Sequence, residues 1–387
     1  MLLPALSDIE TLLARLIAFE TTFSQGTIAI TEFIEAWLDD HGVPHTRIDY
    51  ETGHKTNLFA TIGPDGPGGV VLSGHLDVVP VTGQDWASNP FQLVRRNDRL
   101  FGRGTCDMKG FAAVALAMVP WLVQQNLKRP IHLAFSCDEE VGCKGVRPLV
   151  RWLQERTAKP EAVIVGEPSL MAVVTGHKGI ASFETTVTGH EAHSSLTDRG
   201  VNAIMVAADL IGEISRLRAD LTAAGDPAGR FDPPFTTIHV GTIQGGTARN
   251  IIPRQCQFQW ETRVVPGTDP RAILARLDAF AATLLPAMQA ISPAAGITTR
   301  ISNEVAALAP EADGAAEALA RHCAGANATE AVSYCAEAGL FQQAGFSTVI
   351  CGPGSIEQAH KPDEFIAASE LERCRGFIER LAARLSL

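Results

Sequence analysis

The sequence predicts an α/β fold: a sheet covered by helices on both faces, with a smaller α+β domain inserted into the chain. Four short apolar runs, at 70–73, 131–136, 162–165 and 348–351, have the length and branched-residue content of buried strands. Helix-like segments at 109–125 and 144–156 lie between them, as in a sheet whose strands are joined by covering helices. From about 180 to 292 the pattern changes to alternating stretches paired with a long amphipathic segment, which marks the insertion.

Each element has its own signal. The first twenty residues, MLLPALSDIETLLARLIAFE, set Asp8 and Glu10 among apolar positions and predict an amphipathic helix. They carry neither a basic n-region nor a small-residue cleavage site, so no secretory leader is expected. The longest apolar run, 111–123, contains Pro120 and falls short of the roughly 20 residues that span a bilayer. It reads as a buried core helix, and no membrane partner is expected. In the inserted region ASFETTVTGH (181–190), TTIHVGTIQGG (236–246) and CQFQWETRVV (256–265) read as strands and VNAIMVAADLIGEISRL (201–217) as a helix. A turn-rich loop, AGDPAGRFDPP (224–234), interrupts them, and PAAG (293–296) marks the expected return. The expected organisation is a discontinuous first domain, 1–179 with 293–387, around an inserted domain of 180–292.

Composition narrows the function classes. A chain of 387 residues makes about two domains and needs no staples. With 32 Lys+Arg against 43 Asp+Glu the net charge is -11, the wrong sign for binding phosphate backbones, so no nucleic-acid partner is expected. Eight cysteines without a CxxC pair or a zinc-ribbon spacing suit a reducing cytoplasm. No GxSxG elbow, Walker loop or GxGxxG before a helix is present, and GHEAHSS (189–195) spaces its histidines three apart where HExxH needs four.

What remains is a set of metal-binding side chains at strand ends. The four apolar runs end in GHLD (74–77), CDEE (137–140), GEPS (166–169) and GPGSIEQAH (352–360). Ligands bind at the carboxyl ends of strands in open α/β sheets, which would gather His75, Asp77, Glu139, Glu140, Glu167 and His360 in one crevice. Imidazole nitrogen and carboxylate oxygen hold divalent metals, and paired metals share a bridging carboxylate. In the HxD pair, Asp77 could accept the second N–H of His75 and fix its tautomer; a lone HxD also arises readily by chance. Asp107, in GRGTCDMKG, reads as a ligand or as a helix N-cap. Two adjacent glutamates after an uncharged strand repel unless a cation compensates, and one could bind metal while the other moves a proton. Glu167 and His360 read singly as loop residues; the five ligands together do not.

In this order the motifs resemble the M20 family of metallo-aminohydrolases. The matching segments are SGHLDVVP (73–80), GRGTCDMKG (102–110), DEEVG (138–142), VGEPS (165–169), HKG (177–179), TGHEAHSSLTDRGVNA (188–203), GGTARNIIP (245–253), YCAEA (334–338) and CGPGSIEQAHKPDEF (351–365). VSYCAEA and GPGSIEQAHKPDE look more like the deacetylase branch than the desuccinylase or carboxypeptidase branches, and Cys106 stands where a small residue such as Ala is expected.

The resemblance implies a catalytic domain with a mixed sheet covered by helices, interrupted by an α+β lid that also forms a homodimer. It implies two Zn2+ per subunit, with Co2+ able to substitute. One ion would be held by His75 and Glu167, the other by Glu140 and His360, with Asp107 bridging; Glu139 would be the general base and Asp77 would orient His75. His193 of the lid would reach the reacting carbonyl in the neighbouring subunit's site. Asn250 and Arg263 would hold the substrate's α-carboxylate, and Gly354 would add a backbone N–H. Glu337, with Tyr334 nearby, is the expected partner of the substrate's δ-ammonium. The implied reaction is cytoplasmic hydrolysis of the N-acetyl amide of a small-molecule N-acyl amino acid, N2-acetyl-L-ornithine, supplying ornithine for arginine synthesis. The alternatives are another M20 hydrolase, acting on succinyl-diaminopimelate or a dipeptide, and a metal-binding protein without catalysis; for the last, loss of the base is expected, yet Glu139 is present.

Overall fold

A computed structural model describes residues 2–50 and 53–387; Met1, Glu51 and Thr52, which the expected first domain included, lie outside the described residues. The chain divides into two compact units. The first runs to Gly176 and includes Leu308–Ala331 and Ala336–Leu387; the second is His177–Ala307 with Val332–Cys335.

Helices α1 (Leu6–Ile17) and α2 (Ile28–Asp40) open the first unit, followed by strands β1 (His45–Asp49), β2 (Thr56–Ile62) and β3 (Val70–His75). A hairpin of β4 (Val94–Arg96) and β5 (Arg99–Phe101) precedes α3 (Lys109–Leu122), β6 (Ile131–Ser136), α4 (Val146–Glu155), β7 (Ala162–Pro168) and β8 (Val174–His177). The second unit holds β9 (Gly179–Thr188), α5 (Ala203–Ala224), β10 (Thr237–Gly245), β11 (Gln255–Val264), α6 (Pro270–Ile291) and β12 (Gly296–Val305). The chain then supplies α7 (Ala315–Ala324), β13 (Glu330–Val332), α8 (Ala338–Gln343), β14 (Thr348–Gly352), β15 (Phe365–Ala367) and α9 (Ala368–Leu385).

The large sheet is mixed, in the order β1-β2-β6-β3-β7-β14-β8-β13. Its centre, β6-β3-β7-β14, is parallel and corresponds to the four apolar runs; β1, β2 and β8 pair antiparallel toward the edges. Every residue of β3, β6, β7 and β14 is buried, and since alternate side chains point to opposite faces, both faces are covered. Helix α3 is apolar nearly all round and packs on β3, β7, α1 and α9. Pro120 in its last turn has no N–H for the carbonyl of Leu116, and the Trp37 indole donates to that carbonyl instead, at 3.0 Å.

In the second unit β10-β11-β9-β12 form an antiparallel sheet on which α5 and α6 pack. Burial alternates strictly along β9, as its period-two sequence predicts, and Phe183 stacks on Trp260 with ring centres 4.0 Å apart. The return point expected at 293–296 is corrected by ten or so residues: Gly296–Val305 is an edge strand of this sheet, paired with β9 along its length, and the chain re-enters the first unit at Leu308. Among the described residues no helix is long and apolar enough to cross a membrane.

Candidate metal centre

Parallel pairing brings the C-terminal ends of β3, β6 and β7 side by side, and each ends in a metal-binding side chain or leads into one. His75 is the last residue of β3, Glu139 and Glu140 follow β6, and Glu167 lies near the end of β7. Gly166 lets α3 sit directly on β7: a Cβ there would lie 2.2 Å from the Phe111 ring, so a larger residue would displace the helix beside Glu167. Asp107 is not a helix cap. Met108 holds the N-cap position of α3 without a side-chain bond, and the Asp107 carboxylate turns toward the two histidines.

Two oxygens of one carboxylate face two imidazoles. Asp107 Oδ1 is 3.0 Å from His75 Nε2, and Oδ2 is 3.3 Å from His360 Nε2. Glu167 Oε1 stands 3.6 Å from His75 Nε2, and Glu140 Oε2 3.0 Å from His360 Nε2. Two donors bound at about 2.0–2.1 Å to one tetrahedral cation lie about 3.3 Å apart, so these four separations fit two cations that share Asp107. Donor atoms of His75, Glu139 and Glu167, and of His75, Asp107 and Glu140, each lie within 4.8 Å of one another.

The charge balance also calls for cations. Asp77, Asp107 and Glu167 are buried, Glu139 and Glu140 nearly so, and among the described residues their ion pairs are with His75 and His360, not with lysine or arginine. Burial pushes the Glu139 carboxyl up to about 8, reinforced by Glu140, and the Glu140 carboxyl up to about 7, reinforced by Asp107. Burial also raises the Glu167 carboxyl well above its ordinary value. For Asp107, burial opposes ionisation, but hydrogen bonds from His360 and His75 hold the carboxyl well below its ordinary value. Hydrogen bonds that His360 donates to Asp107 and Glu140 lift its pKa to about 10. Carboxylates crowded this closely ionise together when divalent charge replaces the missing countercharge.

Four expectations need correction or refinement. Asp77 orients His75 through its main-chain carbonyl, 2.9 Å from Nδ1, while its carboxylate stands 3.7 Å away and accepts the backbone N–H groups of Glu139 (3.2 Å) and Glu140 (3.0 Å). It therefore holds both the histidine and the glutamate pair. Glu337 is fully buried, with one oxygen bonded to Ser73 Oγ (2.6 Å) and the other to Ser136 Oγ (2.7 Å); its carboxylate ties β3 to β6 beneath the ligands and is not offered to an ammonium group. The Gly354 N–H is taken by Glu370 of α9 at 3.1 Å, at a φ of 87° that favours glycine. His193 and Asn250 share one exposed loop cluster of the second unit, where Ser194 N–H donates to the Asn250 carbonyl. Arg263 lies eight residues along β11 from Gln255, about 26 Å at roughly 3.3 Å per residue, and bonds to Glu261 at 3.0 Å. Asn250 lies outside β11, five residues before Gln255, in the loop cluster that holds His193.

Two further residues, one just past DEEVG and one within CGPGSIEQAHKPDEF, bear on the site. Cys143 Sγ lies 3.1 Å from Glu139 Oε1, in the turn that follows the glutamate pair. Glu364, four residues past His360, accepts the backbone N–H of Asp107. The acid in HKPDEF and the arginine in GRGTCDMKG were the available signals, but nothing local pairs charges 261 residues apart.

Residues 71–384 match the profile of Peptidase family M20/M25/M40. The chain is 33% identical over 393 residues to a protein named acetylornithine deacetylase from Myxococcus xanthus, covering 98% of this chain and 97% of that one. Its fold is similar to that of the aminopeptidase PepT from Bacillus cereus ATCC 10987, with a TM-score of 0.77 at 19% identity over 100% of both chains. It is also similar to YXEP of Bacillus subtilis, described as a dinuclear metal binding peptidase from the M20 family, with a TM-score of 0.64 at 16% identity over 98% of both.

Proposed function

The chain belongs to peptidase family M20/M25/M40, and from that premise we propose that this hydrolase is a two-zinc amidohydrolase that cleaves N2-acetyl-L-ornithine to acetate and L-ornithine. The observation that carries the hydrolytic reading is the Asp107 carboxylate, whose two oxygens address two histidines, each backed by a further glutamate. The choice of substrate is supported by the full-length similarity to proteins named acetylornithine deacetylase.

His75 and Glu167 would hold one zinc, Glu140 and His360 the other, with Asp107 between them. When bound, such a pair supplies the Lewis acidity that polarises an amide carbonyl and acidifies water. Cobalt(II) is expected to substitute. Glu139 lies beside His75 and Glu167 and is bonded to the Cys143 thiol; it accepts the proton of the attacking water and returns it to the leaving nitrogen. Asp77 keeps that base in place through the two backbone bonds to the glutamate pair.

His193 donates to the carbonyl oxygen as negative charge develops there. The separation of Arg263 from the His193–Asn250 cluster supports a site assembled from two chains, in which Arg263 and the pair His193 and Asn250 come from different subunits of a homodimer. The exposed edge strand β10, with Ile243, and the exposed Leu196, Ile204, Met205 and Ile251 of the same unit support that unit as the dimer surface. The eight cysteines, without a disulfide among the described residues, suit a reducing compartment such as the cytoplasm.

The test is a kinetic comparison of the zinc-loaded protein on N2-acetyl-L-ornithine and N-succinyl-L,L-diaminopimelate. A higher kcat/KM for the acetylated substrate is expected. The reverse preference would move the chain to the desuccinylase branch, and turnover of neither would remove the amidohydrolase assignment for N-acyl amino acids.

A further inference from the structure

One carboxylate outside the ligand set reaches both halves of the centre. Glu364 is buried, and its two oxygens accept four hydrogen bonds. Oε1 takes the backbone N–H of Cys106 at 2.8 Å and of Asp107 at 3.0 Å; Oε2 takes the N–H of Gly104 at 3.0 Å and Arg103 Nη1 at 2.7 Å. The Glu364 carbonyl also accepts from Gly102 N–H. Arg103, equally buried, donates through Nη2 to Gln84 Oε1 at 2.6 Å, and Gln84 Nε2 donates to the carbonyl of His360 at 2.8 Å. Ionic and amide bonds thus run without a break from the backbone of Asp107, through Glu364, Arg103 and Gln84, to the backbone of His360.

The local backbone makes such a device necessary. Residues 102–107 form irregular turns, so their N–H groups have no ladder to join, and buried donors must be satisfied. Only an acceptor with several lone pairs serves three amides and a guanidinium at once. On the other side, His360 has a φ of 64° and Asp363 of 53°, a costly region for residues with a Cβ, which persists where surroundings over-determine it. A buried ion pair is weak evidence for stability alone, so the four bonds of Glu364 point to a positional role.

We propose that Glu364 is a positioning residue of the metal centre: it sets the bridging carboxylate through the N–H of Asp107 and the terminal histidine through Arg103 and Gln84. This rests on the two-metal reading above.

The test titrates zinc alone into the metal-free full-length chain against a chromophoric chelator, with thermal unfolding of the same metal-free samples as the second readout. Glu364→Gln replaces one acceptor oxygen by a donor that faces other donors, and zinc affinity is expected to fall about 10- to 100-fold, as for other groups that orient metal ligands. Glu364→Asp keeps the charge for Arg103 but shortens the reach, and its affinity should lie between wild type and Glu364→Gln. If Glu364 served only to neutralise Arg103, Glu364→Gln would lower the unfolding midpoint while its folded fraction bound zinc like wild type; that result overturns the proposal. Should Glu364→Gln not fold, Glu364→Asp decides by the same criterion, wild-type affinity overturning and weakened affinity supporting it. Absence of zinc binding by the wild-type chain would overturn this proposal together with the metal reading, whereas wild-type affinity in the variants overturns this proposal alone.

Discussion

Glu139 and Glu140 carry the same side chain at adjacent positions, and their surroundings separate their roles. Glu140 Oε2 is 3.0 Å from the imidazole of His360, whereas Glu139 takes the Cys143 thiol and lies beside His75 and Glu167. Glu139→Gln is expected to keep its metal while kcat falls by roughly 10²- to 10⁴-fold, the usual range for a lost general acid–base. Glu140→Gln should lose metal instead. Metal analysis with kinetics on both variants checks the pair, and the opposite pattern would exchange their roles. The metal-binding residue types were legible in the sequence because their chemistry is specific and strand ends converge. The fates of Glu337 and Gly354 were not: that a carboxylate bonds two serines beneath the ligands, or that an N–H turns toward α9, depends on tertiary contacts no local pattern encodes.

At the scale of elements, the four central strands were readable because strands buried on both faces are uninterrupted apolar runs. The strand Gly296–Val305 was not, since its GITTRISNEV sequence is polar and half-exposed on an edge, and PAAG before it resembles a domain return. The central sheet also sets a pH response. His132 on β6 stacks on Phe59 with ring centres 4.9 Å apart, and burial, helped by Arg156, lowers its pKa to about 4 from an ordinary 6.5. The unfolded chain therefore binds this proton more readily than the folded one. The contribution of neutral His132 to stability is complete above pH 6.5 and is lost as pH falls toward 4. Between pH 7 and 4.5 the wild-type chain should lose roughly 2 kcal/mol more than His132→Gln, measured by urea unfolding. Equal losses in the two chains would contradict the burial of a neutral imidazole.

For the whole molecule, the second unit and the trans role of His193 are tested by complementation. His193→Ala and Glu139→Ala chains are mixed, unfolded and reassociated; about half of the dimers are then mixed, and each mixed dimer holds one site with both groups intact if His193 acts across the interface. Activity should recover to about a quarter of wild type. Recovery no greater than the sum of the parents, with mixed dimers confirmed by native mass spectrometry, would place His193 in its own chain's site or outside the chemistry. Beneath this lies the claim that one carboxylate joins two cations, and the most direct measurement is the zinc content of the wild-type and Asp107→Ala chains by elemental analysis after gel filtration. The account predicts up to two ions in the wild-type chain and a more severe loss in Asp107→Ala than in a variant of a terminal ligand such as His360→Ala, because Asp107 faces both histidines. Full metal retention in Asp107→Ala would contradict it.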